Sequence, residues 1–282
     1  MRLLLRNQPA HLSFDFGADE NELGNRNHAQ HSATTMKVSI RLQCVATLGL
    51  AIFSFVVTGC KTSFLSARKQ SASPETSAKP GVNADYLKPD LDVTKWVERF
   101  EREGREIYDH REAIVAAART KPGSTMADIG AGTGLFTPYF SRAVGARGKV
   151  YAVDIVPAFL DRINKRATSE GLDNVHTVLC TERSVELPAN SIDFAFICDV
   201  YHHFEYPRSS MASLHRALRP DGEVLMVEFK RIPGVSSDWI LNHVRAGQEV
   251  FTAEIEAAGF KQIEENHLLK DNYVIRFRKV RR

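Results

Sequence analysis

A carboxylate, three glycines and a second carboxylate are spaced so that they could hold an adenosine-containing ligand. Asp128-Ile129-Gly130-Ala131-Gly132-Thr133-Gly134 follows an apolar run and precedes a helical pattern. Glycines there let the backbone turn tightly and let a ligand approach the main chain with no Cβ in the way. Ala131 and Thr133 belong to the same candidate loop, and amides at the next helix N-terminus would face the ligand. Asp154, with Ile155 beside it, ends the next apolar run about 20 positions further on, where an acid accepts bonds from ribose hydroxyls. An Asp at a strand end can also cap a helix, but loop, strand and acid together favour a ligand.

The glycine spacing separates the possible ligands. Pyrophosphate-binding loops read G-x-G-x-x-G; here the third glycine comes one residue earlier, and Asp128 stands immediately before the loop. A carboxylate so placed repels a pyrophosphate and attracts the ammonium of a methionine moiety. The residues point to S-adenosylmethionine and disfavour a NAD-dependent reductase. No metal is expected, because neither Cys180 nor Cys198 has a His or Cys at ligand spacing. Both read as small buried residues.

These groups need a parallel sheet to carry them. Apolar runs at 126–129, 149–154, 175–179, 192–198, 222–229, 261–265 and 273–277 read as strands. The segments 135–144, 157–170, 207–218 and 252–258 have helical periodicity. Such alternation predicts an α/β, Rossmann-like, mostly parallel seven-stranded sheet with helices on both faces. The short link Asn266–Asp271 makes the last two strands an antiparallel edge hairpin. A helix is expected over 93–108, running on into 111–118, with Phe100, Glu101, Arg105 and Tyr108 on one face.

Asp128-x-Gly130-x-Gly132-x-Gly134 followed by Asp154 resembles the first two motifs of class I S-adenosylmethionine-dependent methyltransferases. Thr181-Glu182-Arg183 stands where members carry Gly-Asp-Ala, so the resemblance implies that Glu182 contacts the adenine amine. Leu187-Pro188 and Ser191-Ile192-Asp193-Phe194 match the approach to strand four. Cys198-Asp199-Val200-Tyr201-His202-His203-Phe204 matches its exit, and Leu218-Arg219-Pro220-Asp221-Gly222 the next turn. The resemblance runs from about Arg105 to Lys279 and is nearest the small-molecule branch that includes ubiquinone/menaquinone C-methyltransferases. It implies Asp199 on the cofactor side and Tyr201, His202 and His203 beside the methyl. Histidine titrates near neutrality and suits a proton acceptor, while packing or structural bonding is the competing role for both histidines. The helix before the domain either covers the cofactor or is a charged surface helix docked by Phe100 and Ile107. The connection Arg231–Glu249, with Trp239, His243 and Arg245, is the candidate acceptor-recognition segment.

The N-terminal third reads differently. Residues 1–35 are polar and patternless, an unstructured and possibly over-extended start. Lys37 and Arg41, the apolar stretch Val45–Val57 and Val57-Thr58-Gly59-Cys60 have the parts of a secretory signal over 36–60. Their ending resembles a bacterial lipobox, which implies a lipidated Cys60 and a membrane-anchored envelope protein. An unprocessed anchor or a fortuitous apolar segment stands against that, and would leave the protein cytoplasmic. Residues 61–90 read as a flexible tether, leaving the domain at 91–282.

Composition excludes some classes. A net charge of only +3, with no basic stripe interleaved with aromatics, argues against nucleic acid as a partner. The dense basic run Arg276–Arg282 reads as a solvated strand end. Two functions remain. One is methyl transfer to a small molecule; the other is a catalytically silent, envelope-anchored nucleoside-binding module, which would resolve the conflict between an export signal and a cytosolic cofactor.

Overall fold

The computed structural model describes residues 74–281. The signal expected over 36–60, with its proposed lipidation at Cys60, and the first part of the expected tether lie outside them. The sheet has seven strands: β1 Thr125–Ile129, β2 Lys149–Asp154, β3 Val175–Leu179, β4 Ile192–Cys198, β5 Leu218–Phe229, β6 Phe260–Asn266 and β7 Asn272–Lys279. Their order is β3-β2-β1-β4-β5-β7-β6. Strands β1 to β5 pair in parallel, and β7 runs antiparallel to both β5 and β6. Chain order reverses between β1 and β4, and a crevice opens there beyond the strands' carboxyl ends.

Among the described residues eight α-helices accompany the strands: α1 Val93–Phe100, α2 Glu106–Asp109, α3 Arg111–Ala118, α4 Thr137–Val144, α5 Pro157–Glu170, α6 Pro207–Ala217, α7 Asp238–His243 and α8 Gln248–Ala257. Side chains alternate across a strand, so each strand feeds two cores. Ala127, Ile129, Ala195, Ile197, Val224 and Met226 pack with α6 and α8. Met126, Phe194, Phe196, Leu225 and Val227 pack with α2, α3 and α4. The rings of Phe136 and Phe140 each meet Phe196 with centroids 4.9 Å apart.

Two expectations fail. The single helix over 93–108 is broken into α1 and α2, because Gly104 adopts φ +80° and its amide bonds to the Asp109 carboxylate. The tether is ordered from residue 74 onward and docked on the domain. The Glu75 carboxylate accepts from the amides of Arg208 and Ser209, capping α6 from 133 residues away. Ser77 Oγ and the Gly81 amide donate to the Glu205 carboxylate, and Asn83 Nδ2 donates to the His203 carbonyl. Tyr86 lies against Trp96, Phe159 and His203. Composition hid this because the anchors are few and mostly polar.

The basic C-terminal run is also not simply solvated. Arg276 is buried; it pairs with Glu223 at 2.9 Å and donates to the carbonyls of Ala117 and Ala118 at the end of α3. Arg278 reaches the same Glu223 from the surface. Arg276→Ala should therefore lower the unfolding free energy by about 3–5 kcal/mol. Arg278→Ala, half-exposed, should cost less than about 1 kcal/mol. Urea denaturation of the two variants checks this, and equal small losses would contradict it.

Candidate functional site

The loop after β1 is built against two neighbours. The amides of Gly130 and Ala131 donate to the Val153 carbonyl at the end of β2. Gly130 sits at φ +68°, and a Cβ there would meet Val200 Cγ1 at 2.4 Å, so only glycine lets the loop lie on the β4 exit. Gly132 differs. It needs glycine for φ +55°, while a Cβ would have space, its nearest neighbours being the Gly130 carbonyl and Phe100 at 3.9 Å. Thr133 is buried, and its carbonyl accepts from Arg162 of α5.

Asp154 closes this turn. Its carboxylate accepts from the Gly132 amide at 2.8 Å and the Val156 amide at 2.9 Å. Burial pushes it up to about 6, against the pull of those amides. Asp128, also buried, is pushed up to about 7, although Thr137 Oγ1 donates to it. Asp199, left-handed at φ 50°, accepts from Arg105 at 2.7 Å and Asn272 Nδ2 at 2.6 Å. Burial lifts it to about 7 against the Arg105 charge. Glu182 is raised by burial and by Glu205 beside it, with Asn83 opposing.

All four acids line one cavity of about 820 Å³, together with Ile155, Phe100, Arg105 and the glycine loop. Buried carboxylates whose protons are held toward neutrality are poised to ionise when a cation arrives. A ligand carrying a sulfonium and an ammonium meets that demand, and a pyrophosphate does not. The donor set thus fits S-adenosylmethionine: Asp154 for ribose, the open loop backbone for the methionine end, and Glu182 on the adenine side.

At the far end of the cavity stand His202, His203, Phe229, Trp239 and His243. His202 is fully buried, and its Nδ1 lies 2.9 Å from both carboxylate oxygens of Glu228, itself fully buried in β5. Burial raises Glu228 to about 8 and lowers His202 to about 3. Burial also lowers His243 to about 4 and depresses His203. His243 stacks on Trp239 with centroids 4.5 Å apart.

Tyr201 is a correction. Residues 201–203 form one 3₁₀ turn, in which successive side chains splay about 120° apart. Tyr201 therefore points away from the cavity into the core beside Phe251, and its hydroxyl donates to Glu254. Arg245, expected in acceptor recognition, is taken by the same Glu254. Of the face expected before β1, Phe100 and Arg105 reach the cavity, whereas Glu101 lies near Arg162 and Arg166. Cys180 and Cys198 are half-buried; each packs against a hydrophobic core and also lines the cavity. Glu228 was missed, though an acid in the apolar strand Val224–Phe229 was a visible signal. Asn83 and Tyr86 were missed because they fell in the supposed tether.

Affinity for S-adenosylmethionine should track ionisation of Asp128 and Asp154. Both are protonated more readily in the free protein than an ordinary Asp, so binding should weaken as pH falls through 7 and 6, by up to tenfold per unit per group. Asp154→Ala should weaken binding at least tenfold at about pH 8, a charge-assisted bond being worth about 1.5–3 kcal/mol, and should flatten the pH profile. Calorimetry reads both effects; unchanged affinity would remove Asp154 from the site.

Comparison with known proteins agrees with this geometry. Residues 127–226 match the model of a methyltransferase domain family. The chain is 29% identical over 118 residues to ubiquinone/menaquinone biosynthesis C-methyltransferases of Burkholderia mallei and Burkholderia thailandensis, covering 42% of this chain and 48% of each relative. It thus spans about half the length of the curated relatives it matches. A solved S-adenosylmethionine-dependent methyltransferase from Aquifex aeolicus superposes with a TM-score of 0.61 at 25% identity, over 67% of this chain and 100% of that one. The [4+2]-cyclase SpnF shares the fold, with a TM-score of 0.57 at 16% identity over 73% of this chain and 97% of that one. That protein is named for a different reaction, so the fold by itself does not fix the chemistry. Residues 127–226 thus match a methyltransferase domain family, the described residues share the fold of a solved S-adenosylmethionine-dependent methyltransferase, and S-adenosylmethionine is the cofactor that the loop and the acids fit.

Proposed function

We propose that the protein transfers a methyl group to a small-molecule acceptor that enters between the glycine loop and the Trp239–His243 wall. The observation that carries this is the continuity of the cavity: the cofactor acids and the aromatic, histidine-rich end line a single space. Its volume falls in the range of small-molecule sites, about 300–1,000 Å³. When bound, S-adenosylmethionine supplies a methyl on a sulfonium, transferred by in-line displacement to a nucleophile. The protein's part is alignment and exclusion of water. Asp154 and the loop fix one partner. Phe229, Trp239 and His243 offer flat faces for the other, and Asn83 and Tyr86 of the N-terminal segment close over the site.

Nothing in this arrangement favours a silent nucleoside-binding module. With methyl-labelled cofactor and a low-mass metabolite fraction, the full chain should form S-adenosylhomocysteine and label a small molecule. Trp239→Ala should lower kcat/KM for the acceptor roughly tenfold while leaving cofactor affinity unchanged. Cofactor binding without transfer, or label entering only macromolecules, would contradict the proposal.

We further propose, from the sequence alone, that Cys60 is lipidated and tethers the domain to a membrane. Intact-mass analysis should show loss of the residues before Cys60 and added acyl mass. Native cytosolic protein retaining residues 36–59 would refute it.

A further inference from the structure

Among the described residues, His202, His203 and His243 each offer a ring nitrogen, and these atoms lie within 4.8 Å of one another. The ring planes are inclined by 45°, 71° and 64°, with centroids 4.3, 4.9 and 5.0 Å apart, so no pair is stacked in parallel and all three can aim lone pairs at a shared centre. Two ring positions bear on what that centre is. His202 Nδ1 is engaged by the Glu228 carboxylate, which leaves Nε2 as its available atom. His203 Nδ1 is buried with no hydrogen-bond partner. An orphaned ring nitrogen beside two other imidazoles costs stability unless something accepts its lone pair.

We infer that these three histidines form a Zn²⁺ site at the acceptor end of the pocket. Three imidazoles with an open fourth position are a zinc donor set of catalytic type. A carboxylate bonded to the other nitrogen of one ligand is the usual outer-shell support, and Glu228 occupies that place. Tetrahedral zinc needs nitrogens about 3.4 Å apart at Zn–N distances of about 2.0–2.1 Å, so nitrogens as much as 4.8 Å apart must close by up to about 1.4 Å. His243 stands half-buried at the end of the six-residue α7. Lys79 Nζ lies near but is spent on the carbonyls of Asn242 and His243. The site stands on the cluster alone; its use rests on the proposed methyl transfer. There the metal would take the acceptor's hydroxyl or thiol at its open position, and that group would lose its proton to solvent before attack on the methyl.

The test is zinc binding, read separately from activity. Untagged full-length protein, stripped with a chelator, is titrated with Zn²⁺ against a chromophoric competitor. The expected result is one zinc per chain, weakened at least a hundredfold by His243→Ala and by His203→Ala, and tenfold or more by Glu228→Gln. Calorimetry with S-adenosylmethionine on the same variants should show cofactor affinity retained, which establishes that they are folded. No stoichiometric zinc in the wild type, or zinc binding indifferent to both histidine substitutions, would overturn the inference. Loss of cofactor binding by the wild type would instead overturn the methyltransferase reading and leave the metal result standing.

Discussion

A carboxylate buried at the end of β2 governs the shape of this site. Asp154 accepts from the Gly132 amide, so the loop after β1 and the end of β2 are fixed to one another, and it also holds the first turn toward α5 through Val156. Both bonds are charge-assisted when the group is ionised, and they set loop and acid in place before any ligand arrives. The packing follows from this. Gly130 can lie on Val200 only because the loop is held at this height, and that contact places the β4 exit, with Asp199 and the histidines, opposite the loop.

The second constraint is charge. Asp128, Asp154, Asp199 and Glu182 face one cavity, and burial raises all four above the ordinary carboxylate range. Arg105 and Asn272 relieve Asp199, and Thr137 relieves Asp128 only partly. Among the described residues neither Asp128 nor Asp154 has an ion-pair partner, and a doubly cationic ligand end would supply one. The same reasoning separates the two ends. The acids gather around the loop, while beyond Asp199 the wall is aromatic and imidazole, suited to an acceptor of a different character.

Much of this was legible before any coordinates. The seven strands fall where period and turn residues put them, because each strand segregates alternate side chains into two cores. The loop and Asp154 were readable since their roles follow from backbone geometry and a fixed spacing. What was not legible depended on direction or on distant partners. Tyr201, His202 and His203 are consecutive, and only the 3₁₀ turn decides that the first faces the core and the others the cavity. The segment around Asn83 and Tyr86 looked like a tether because its partners, Glu205, His203 and the start of α6, lie more than 100 residues away. Gly104 broke a helix that periodicity carried straight through. His243 was in view within a long connection, but nothing local brought it to His202 and His203.

The account stands or falls on where the cofactor lies. A crystal structure of the full chain with S-adenosylhomocysteine tests it most directly. The ribose hydroxyls should bond the Asp154 carboxylate, the methionine end should lie on the Gly130–Gly134 backbone, and the sulfur should point toward His202, His203 and His243. A ligand bound elsewhere, or one with its sulfur turned from that wall, would contradict the account.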